Sequence, residues 1–303
     1  MSNRKYTIAR ETNNHNVQDP FDGDLEIAFY ICATIDLLGQ SEAISKWNNI
    51  ESKKKTEQIL IVKNSLGKVL RLRKDVADFV SGFGSTELNP ALLDALPLET
   101  RRLALDLNKA DIHVQRFGDT VLLFAPVARD GTYQMKTIFA ITASLAMIFR
   151  RYTAAKIPIR GAVDIDTGCI PENQDEIYGP ALVSAHHLES KSARYPRILV
   201  GDGLIRFARI IADKPANDAL SNFYRTMAND ILHLIRVTEH HYPTINYFSP
   251  LLDDIFSTNT PQYNSLSLEN VMAGAKSMFD QHKIGSKLYW RFLQLISDLE
   301  QLQ

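Results

Sequence analysis

The sequence is short of cysteine, of net charge and of long apolar runs, and each shortage excludes something. Two cysteines, Cys32 and Cys169, occur in 303 residues. They lie far apart in apolar stretches, with neither zinc-site spacing nor the density of a disulfide framework. Reduced, buried thiols are therefore expected, in keeping with a reducing cytoplasm. The net charge is −1, so no overall basic excess points to nucleic acid and no acidic tail points to a basic partner. The N-terminus up to Asp24 is polar and lacks the apolar core of a secretory signal. The longest apolar run, Ile138 to Phe149, is broken by Thr142 and Ser144. It falls short of the roughly 18 residues needed to span a bilayer. A soluble cytoplasmic protein is expected, with neither membrane nor nucleic acid as a partner. No internal repeat or low-complexity segment is present. The pairs His186-His187 and His240-His241 do not have metalloprotease spacing, because adjacent residues on a helix diverge by about 100°.

What the chain does have is material for a core. Hydrophobic residues make up 45% of it, enough for one large domain or a catalytic domain with a helical extension. After a loosely ordered arm over 1–24, Ile27 to Ile35 is a continuous apolar run, the pattern of a strand buried on both faces. It stops at Asp36. Residues 41–110 read as mostly helical, with breaks at Gly82 to Ser85 and at Asn89-Pro90. Ile112 to Phe117 and Val121 to Ala125 form two short strands joined by Gly118-Asp119, the composition of a tight turn. A long helix spans 133–155. A strand follows from Pro158, ending near Gly168; then a helix opens at Ile177-Tyr178-Gly179 and runs to about Arg194. Arg197 to Val200 is the next strand. This order predicts an α+β, ferredoxin-like domain over 25–203, an antiparallel-rich sheet with helices on one face. Residues 204–303 read as a mainly helical extension packed on it, with a short strand pair near Ile235 to Tyr247. In its last helix Leu288, Phe292, Leu295, Ile296 and Leu299 fall at helical spacing.

Two carboxylates stand out. Asp36 closes a buried strand, where an acid is costly unless solvated or bound to something. Asp119 sits at a hairpin tip. If the strand and hairpin are neighbours, both acids reach one sheet edge, and a divalent cation would relieve their repulsion. Mg²⁺ takes one or two carboxylates plus substrate phosphates, so the pair suggests phosphoryl or nucleotidyl transfer. An ordinary turn at Gly118-Asp119 and a helix cap at Asp36 account for the same residues.

The ordered motifs resemble those of class III nucleotidyl cyclases. Asp36-Leu-Leu-Gly39 resembles their first metal motif, and Val114-Gln-Arg-Phe-Gly-Asp-Thr120 their second. Arg160-Gly-Ala-Val-Asp-Ile-Asp-Thr-Gly168 resembles the following strand, and Glu176 through Ala185 to Leu188-Glu189 the helix that carries transition-state groups. Within the family, Arg160-Gly-Ala, Ile177-Tyr-Gly-Pro-Ala-Leu182 and Ala193-Arg-Tyr-Pro-Arg-Ile198 are most similar to the bacterial pyrimidine cyclases of Pycsar anti-phage defence, as is Lys287-Leu-Tyr-Trp290.

The resemblance implies a lyase converting a nucleoside triphosphate to a 3′,5′-cyclic mononucleotide and pyrophosphate. It implies two Mg²⁺ or Mn²⁺ ions per site between Asp36 and Asp119, one activating the 3′-hydroxyl and the other holding the triphosphate. Gly39 would lie against the substrate. A head-to-tail homodimer is implied too, one chain giving Asp36 and Asp119 and the other giving Gln115, Glu176 and the helix around His187. A separate effector would respond to the cyclic nucleotide.

Where the family places a transition-state Asn and Arg, this chain has Val183 and His187. His187 is the catalytic candidate there if its protonation allows donation to phosphate. Arg160, Arg194 and Arg197 are alternative cations, Arg197 being taken as substrate-binding. Where adenylyl cyclases read the base with Lys and Asp, this chain has Gln115 and Glu176, with Arg116 as a second donor. An ionised Glu only accepts, which suits the N–H of uracil or guanine, and Gln suits a carbonyl. The polar reading favours UTP or GTP, and the resemblance tips it to UTP and cyclic UMP, with CTP next. Two readings compete: a degenerate cyclase retained as a nucleotide-binding protein, and a diguanylate cyclase, whose usual hairpin signature is replaced here by Phe-Gly-Asp-Thr.

Overall fold

The computed structural model describes residues 4–6, 25–84, 94, 98–171, 176–238, 241–256, 266–282 and 286–301. Most of the N-terminal arm, the Asn89-Pro90 break and His240 lie outside these. The strands are β1 (Arg4–Tyr6), β2 (Leu25–Leu37), β3 (His113–Phe117), β4 (Thr120–Pro126), the short β5 (Ala128–Arg129) and β6 (Thr132–Tyr133), β7 (Ile159–Ile170), β8 (Ile198–Val200), β9 (Ile235–Thr238) and β10 (His241–Ile245). The helices are α1 (Gln40–Ser45), α2 (Lys55–Asn64), α3 (Leu66–Gly84), α4 (Leu98–Leu107), α5 (Met135–Ala154), α6 (Pro180–His187), α7 (Asp202–Ala212), α8 (Ala219–His233), α9 (Pro250–Phe256), α10 (Leu268–Asp280) and α11 (Lys287–Glu300).

The protein is α+β. Its main sheet runs in the order β3-β4-β2-β7-β8-β10-β9, with β1 added on β2. Among the described strands only the β7–β8 pairing is parallel, so the connection between them must cross over, and α6 lies in it. The apolar run at 27–35 is the centre of β2, which pairs with β4 along one side and β7 along the other.

Strand alternation sorts β2 into two faces. Ile31, Ala33, Ile35 and Leu37 enter the main core with α3, α5 and α7. Ala28, Tyr30 and Cys32 pack with Leu122, Phe124, Ile177, Ala181 and Ala185. Helices therefore cover both faces, and the expectation of helices on one face is corrected: α6 is too short to announce a layer, yet Ala181 and Ala185 press it flat against the second face.

Helix α5 is buried on nearly every side, from Met135 to Thr153. An all-round apolar helix belongs between layers rather than at a surface, and it packs against α3, α8 and α10 as well as the sheet. Its buried Arg150 is neutralised by Asp253 at 2.8 Å and hydrogen-bonds the Tyr247 carbonyl. The strand pair expected near 235–247 is present as β9 and β10, and Thr244 of β10 pairs with Leu199 of β8, so the segment after residue 203 lengthens the sheet as well as covering it. Among the described residues no helix is long and apolar enough to cross a membrane.

The β2–β7 contact is tightest at Gly161, where an added Cβ would lie 2.4 Å from the Thr34 carbonyl oxygen. Neither backbone can yield without breaking ladder hydrogen bonds on both sides. Gly161→Ala is expected to lower stability by about 1–3 kcal/mol, read as a shift of the urea unfolding midpoint without a change in slope.

Candidate active site

Strand register assembles the site. Asp36 stands opposite Thr120 on β4 and opposite Arg160 on β7. Since Asp119 directly precedes Thr120 in the β3–β4 turn, the two carboxylates are brought to the same sheet edge. The turn needs its glycine, because Gly118 has a φ of 56°, in the left-handed region. Arg73 on α3 fixes the turn by donating from Nη2 to the Gly118 carbonyl at 2.6 Å. Asp36 is an even position on β2, so it shares the α6 face with Thr34, whose hydroxyl lies 3.5 Å from the Ala185 carbonyl oxygen. The same face receives Glu189, in the single π-helical turn Leu188–Ser192 that continues α6.

Arg160 ties these groups together. Its Nε and Nη2 donate to Asp36 Oδ2 at 3.2 and 3.1 Å. The same Nε is 2.5 Å from Glu189 Oε1, and the Glu189 side chain is only 4% exposed. The Thr120 hydroxyl donates to the other Asp36 oxygen at 3.2 Å. Asp119 accepts no hydrogen bond from the described residues, which leaves its carboxylate available.

The electrostatics follow from burial. Desolvation raises the Asp36 pKa and Asp119 raises it further, while Arg160 and Thr120 oppose both. Glu189 is pushed up to about 7 by burial, with Arg160 opposing and with Asp36 and Asp119 adding repulsion. Three acids thus repel one another across one guanidinium. Arg291 of α11 lies within electrostatic reach of Arg160 and Arg194; burial and then those two charges lower its pKa.

This donor set fits a divalent cation of the Mg²⁺ type: two carboxylates at an open edge, with positions left for phosphate and water. Among the described residues, no group of three or more His, Cys, Asp or Glu is gathered as a metal cage.

The other candidates are placed as follows. Gly39 adopts a left-handed φ of 86° just after β2, two residues beyond the strand end. Gln115 pairs with Leu122 and so shares the α6 face, whereas Arg116 pairs with Val121, faces the other way and is exposed. The two do not meet on one face. Glu176 accepts from the Tyr178 hydroxyl at 2.8 Å just before α6. Val183 and His187 are exposed on α6; neither contacts Asp36. His186, not His187, approaches Glu189, at 3.6 Å. Arg197 is turned away from the carboxylates: it is buried, its Nη1 donates to the Tyr195 hydroxyl at 2.9 Å and its Nη2 to the Ser192 carbonyl at 2.8 Å. Tyr195 in turn donates to Asp298 of α11 at 2.6 Å. These bonds make Arg197 an anchor for the last helix.

Sequence reasoning named Glu189 only as part of a motif, without a role, and did not name Arg73. Glu189 had a legible signal: it continues the four-residue spacing of Ala181 and Ala185, the buried stripe of α6. Arg73 had none, since its partner is a backbone carbonyl 45 residues away.

The raised pKa of Glu189 has a sign. The folded protein holds its proton between the ordinary 4.5 and about 7, so the contribution of Glu189 to metal-free stability is full below pH 4.5 and is lost as pH rises to about 7. Asp36, also raised, acts in the same direction. Urea unfolding in EDTA from pH 5 to 8 should show stability declining, and Glu189→Gln should flatten the part of the decline near neutrality. An unchanged slope in that variant would remove Glu189 as its source.

No family model matches the chain, and no curated protein matches it. Among solved structures, the crystal structure of the adenylyl cyclase CyaB from P. aeruginosa is similar over 73% of this chain and 93% of that chain, at 13% identity and a TM-score of 0.35.

Proposed function

We propose that the protein is a nucleotide cyclase of the class III type, converting a nucleoside triphosphate, foremost UTP, into the 3′,5′-cyclic mononucleotide and pyrophosphate. The observation that carries this reading is the convergence of Asp36 and Asp119 at one sheet edge, with Arg160 as the counter-charge. Asp36 and Asp119 are the residues that would hold Mg²⁺ or Mn²⁺. Such ions neutralise phosphate charge and lower the pKa of the attacking hydroxyl.

In the reaction, the ribose 3′-oxygen forms a bond to the α-phosphorus and the bond between that phosphorus and the α–β bridging oxygen breaks. Pyrophosphate leaves with the electron pair, and the hydroxyl proton passes to solvent. The chain's part is to align these atoms and to balance charge. Asp36 sets the position of the reacting end, because its strand is locked on both sides. Gln115 of the other chain of a dimer would read a base carbonyl, and its Glu176 would accept from a base N–H. Val183 and His187 lie apart from the Asp36 contacts of their own chain, which suits a homodimer whose sites are completed across the interface. Exposed Phe117, Tyr178 and Val183 supply apolar surface near the site that such an interface would cover. Signalling in anti-phage defence through a separate effector rests on the sequence resemblance alone.

Exposed Val183 offers no hydrogen bond where the family has Asn, and this supports the second reading, a nucleotide-binding protein without turnover. Incubation with each ribonucleoside triphosphate and Mg²⁺ or Mn²⁺, with mass spectrometry of the products, separates the two. Cyclic UMP is expected, with Asp36→Ala and Asp119→Ala each reducing its formation at least about 100-fold. Cyclic CMP or cyclic GMP would keep the reaction and change the base; nucleotide binding without any cyclic product would favour the second reading.

A further inference from the structure

Arg160 serves two carboxylates unequally. Asp36 receives two guanidinium N–H bonds and the Thr120 hydroxyl. Glu189, nearly without solvent, has Arg160 Nε at 2.5 Å from Oε1, yet that oxygen takes no aligned hydrogen bond. Buried carboxylate oxygens without a bond are costly. A divalent cation arriving at Asp36 would repel the guanidinium at short range, and the nearest anion able to accept it is the under-served Glu189.

We infer that Arg160 is a movable cation, which neutralises Asp36 when no metal is bound and, once a divalent ion takes that carboxylate, passes wholly to Glu189 and presents its remaining N–H groups to the phosphate chain of the nucleotide. Glu189 is then the positioning residue and Arg160 the group that touches substrate. The inference rests on the metal-and-nucleotide reading above and supplies the phosphate-binding cation that Val183 and His187 do not. Arg197 is excluded by its bonds to Tyr195 and Ser192. Arg291 also feels the charges of Arg160 and Arg194, and neighbouring cations of this kind favour an anion beside them.

The test needs no turnover. Mn²⁺ affinity is measured by calorimetry on the full chain, then inorganic pyrophosphate affinity at saturating Mn²⁺, for the parent protein and for Arg160→Gln, Arg160→Lys and Glu189→Gln. Arg160→Gln should bind Mn²⁺ about tenfold more tightly, a competitor having been removed, and pyrophosphate about tenfold or more weakly. Arg160→Lys, which keeps the charge but not the fork, should fall between on both axes. Glu189→Gln should weaken both ligands, because the guanidinium then stays on Asp36. A purely structural ion pair would lower the unfolding midpoint and leave pyrophosphate affinity unchanged. Unchanged or weaker Mn²⁺ binding in Arg160→Gln, or unaltered pyrophosphate binding, overturns the inference. If these shifts occur but the parent protein makes no cyclic product, the cyclase reading fails and the movable cation stands. If product forms while Arg160→Gln matches the parent on both ligands, the reverse holds.

Discussion

The site depends on the register of one strand. β2 is paired with β7 from Glu26 to Leu37 and with β4 from Tyr30 to Asp36, and this sets Asp36 between Thr120 and Arg160. A slip of one residue would turn every side chain of β2 to the opposite face. Asp36 would then enter the core with Ile35 and Leu37, away from α6 and Glu189. Register is specified so firmly because both faces of the strand are buried, each with its own set of partners.

Charge is concentrated where that strand reaches the sheet edge. Burial raises the proton affinity of Asp36 and of Glu189; the charge of Asp119 adds to it at both, and that of Asp36 adds to it at Glu189. Arg160 alone among the described residues bridges two of them. Such a cluster is poor at stabilising a fold, because desolvation offsets the attraction of a buried ion pair. A different buried acid shows the contrast. Asp164 on β7 accepts from the backbone N–H groups of Ile165 at 2.8 Å and Leu204 at 3.2 Å and caps the start of α7. That acid serves the fold, through bonds to backbone N–H groups.

The rest of the molecule holds this edge still. α3 reaches over to fix the Gly118 turn through Arg73, and the same helix carries Asp75, which binds Tyr152 and Arg151 of the central helix α5. From the other end, Asp298 of α11 holds Tyr195, which holds Arg197, whose carbonyl accepts from Gly161 next to Arg160. The C-terminal region is thereby linked to Gly161, the residue beside Arg160, and it lengthens the sheet through β10.

The sequence by itself determined the elements and their order. An apolar run too continuous for a surface strand, a Gly-Asp turn between two short strands, a long apolar helix and a strand pair near residue 240 are local signals, since burial and turn chemistry act through neighbours along the chain. It also marked Asp36 and Asp119, because an acid after a buried strand and a Gly-Asp turn are visible as breaks in pattern. Only the tertiary structure decided that α6 closes the second face, that Arg116 and Gln115 part company across β3, that Arg197 is spent on Tyr195 and Ser192, and that Arg160 and Glu189 complete the carboxylate edge. Those outcomes are set by which strands become neighbours and which face each side chain takes. Pairing between residues more than 100 apart, as Asp36 with Arg160, is fixed by the packing of whole layers and leaves no mark in either local sequence.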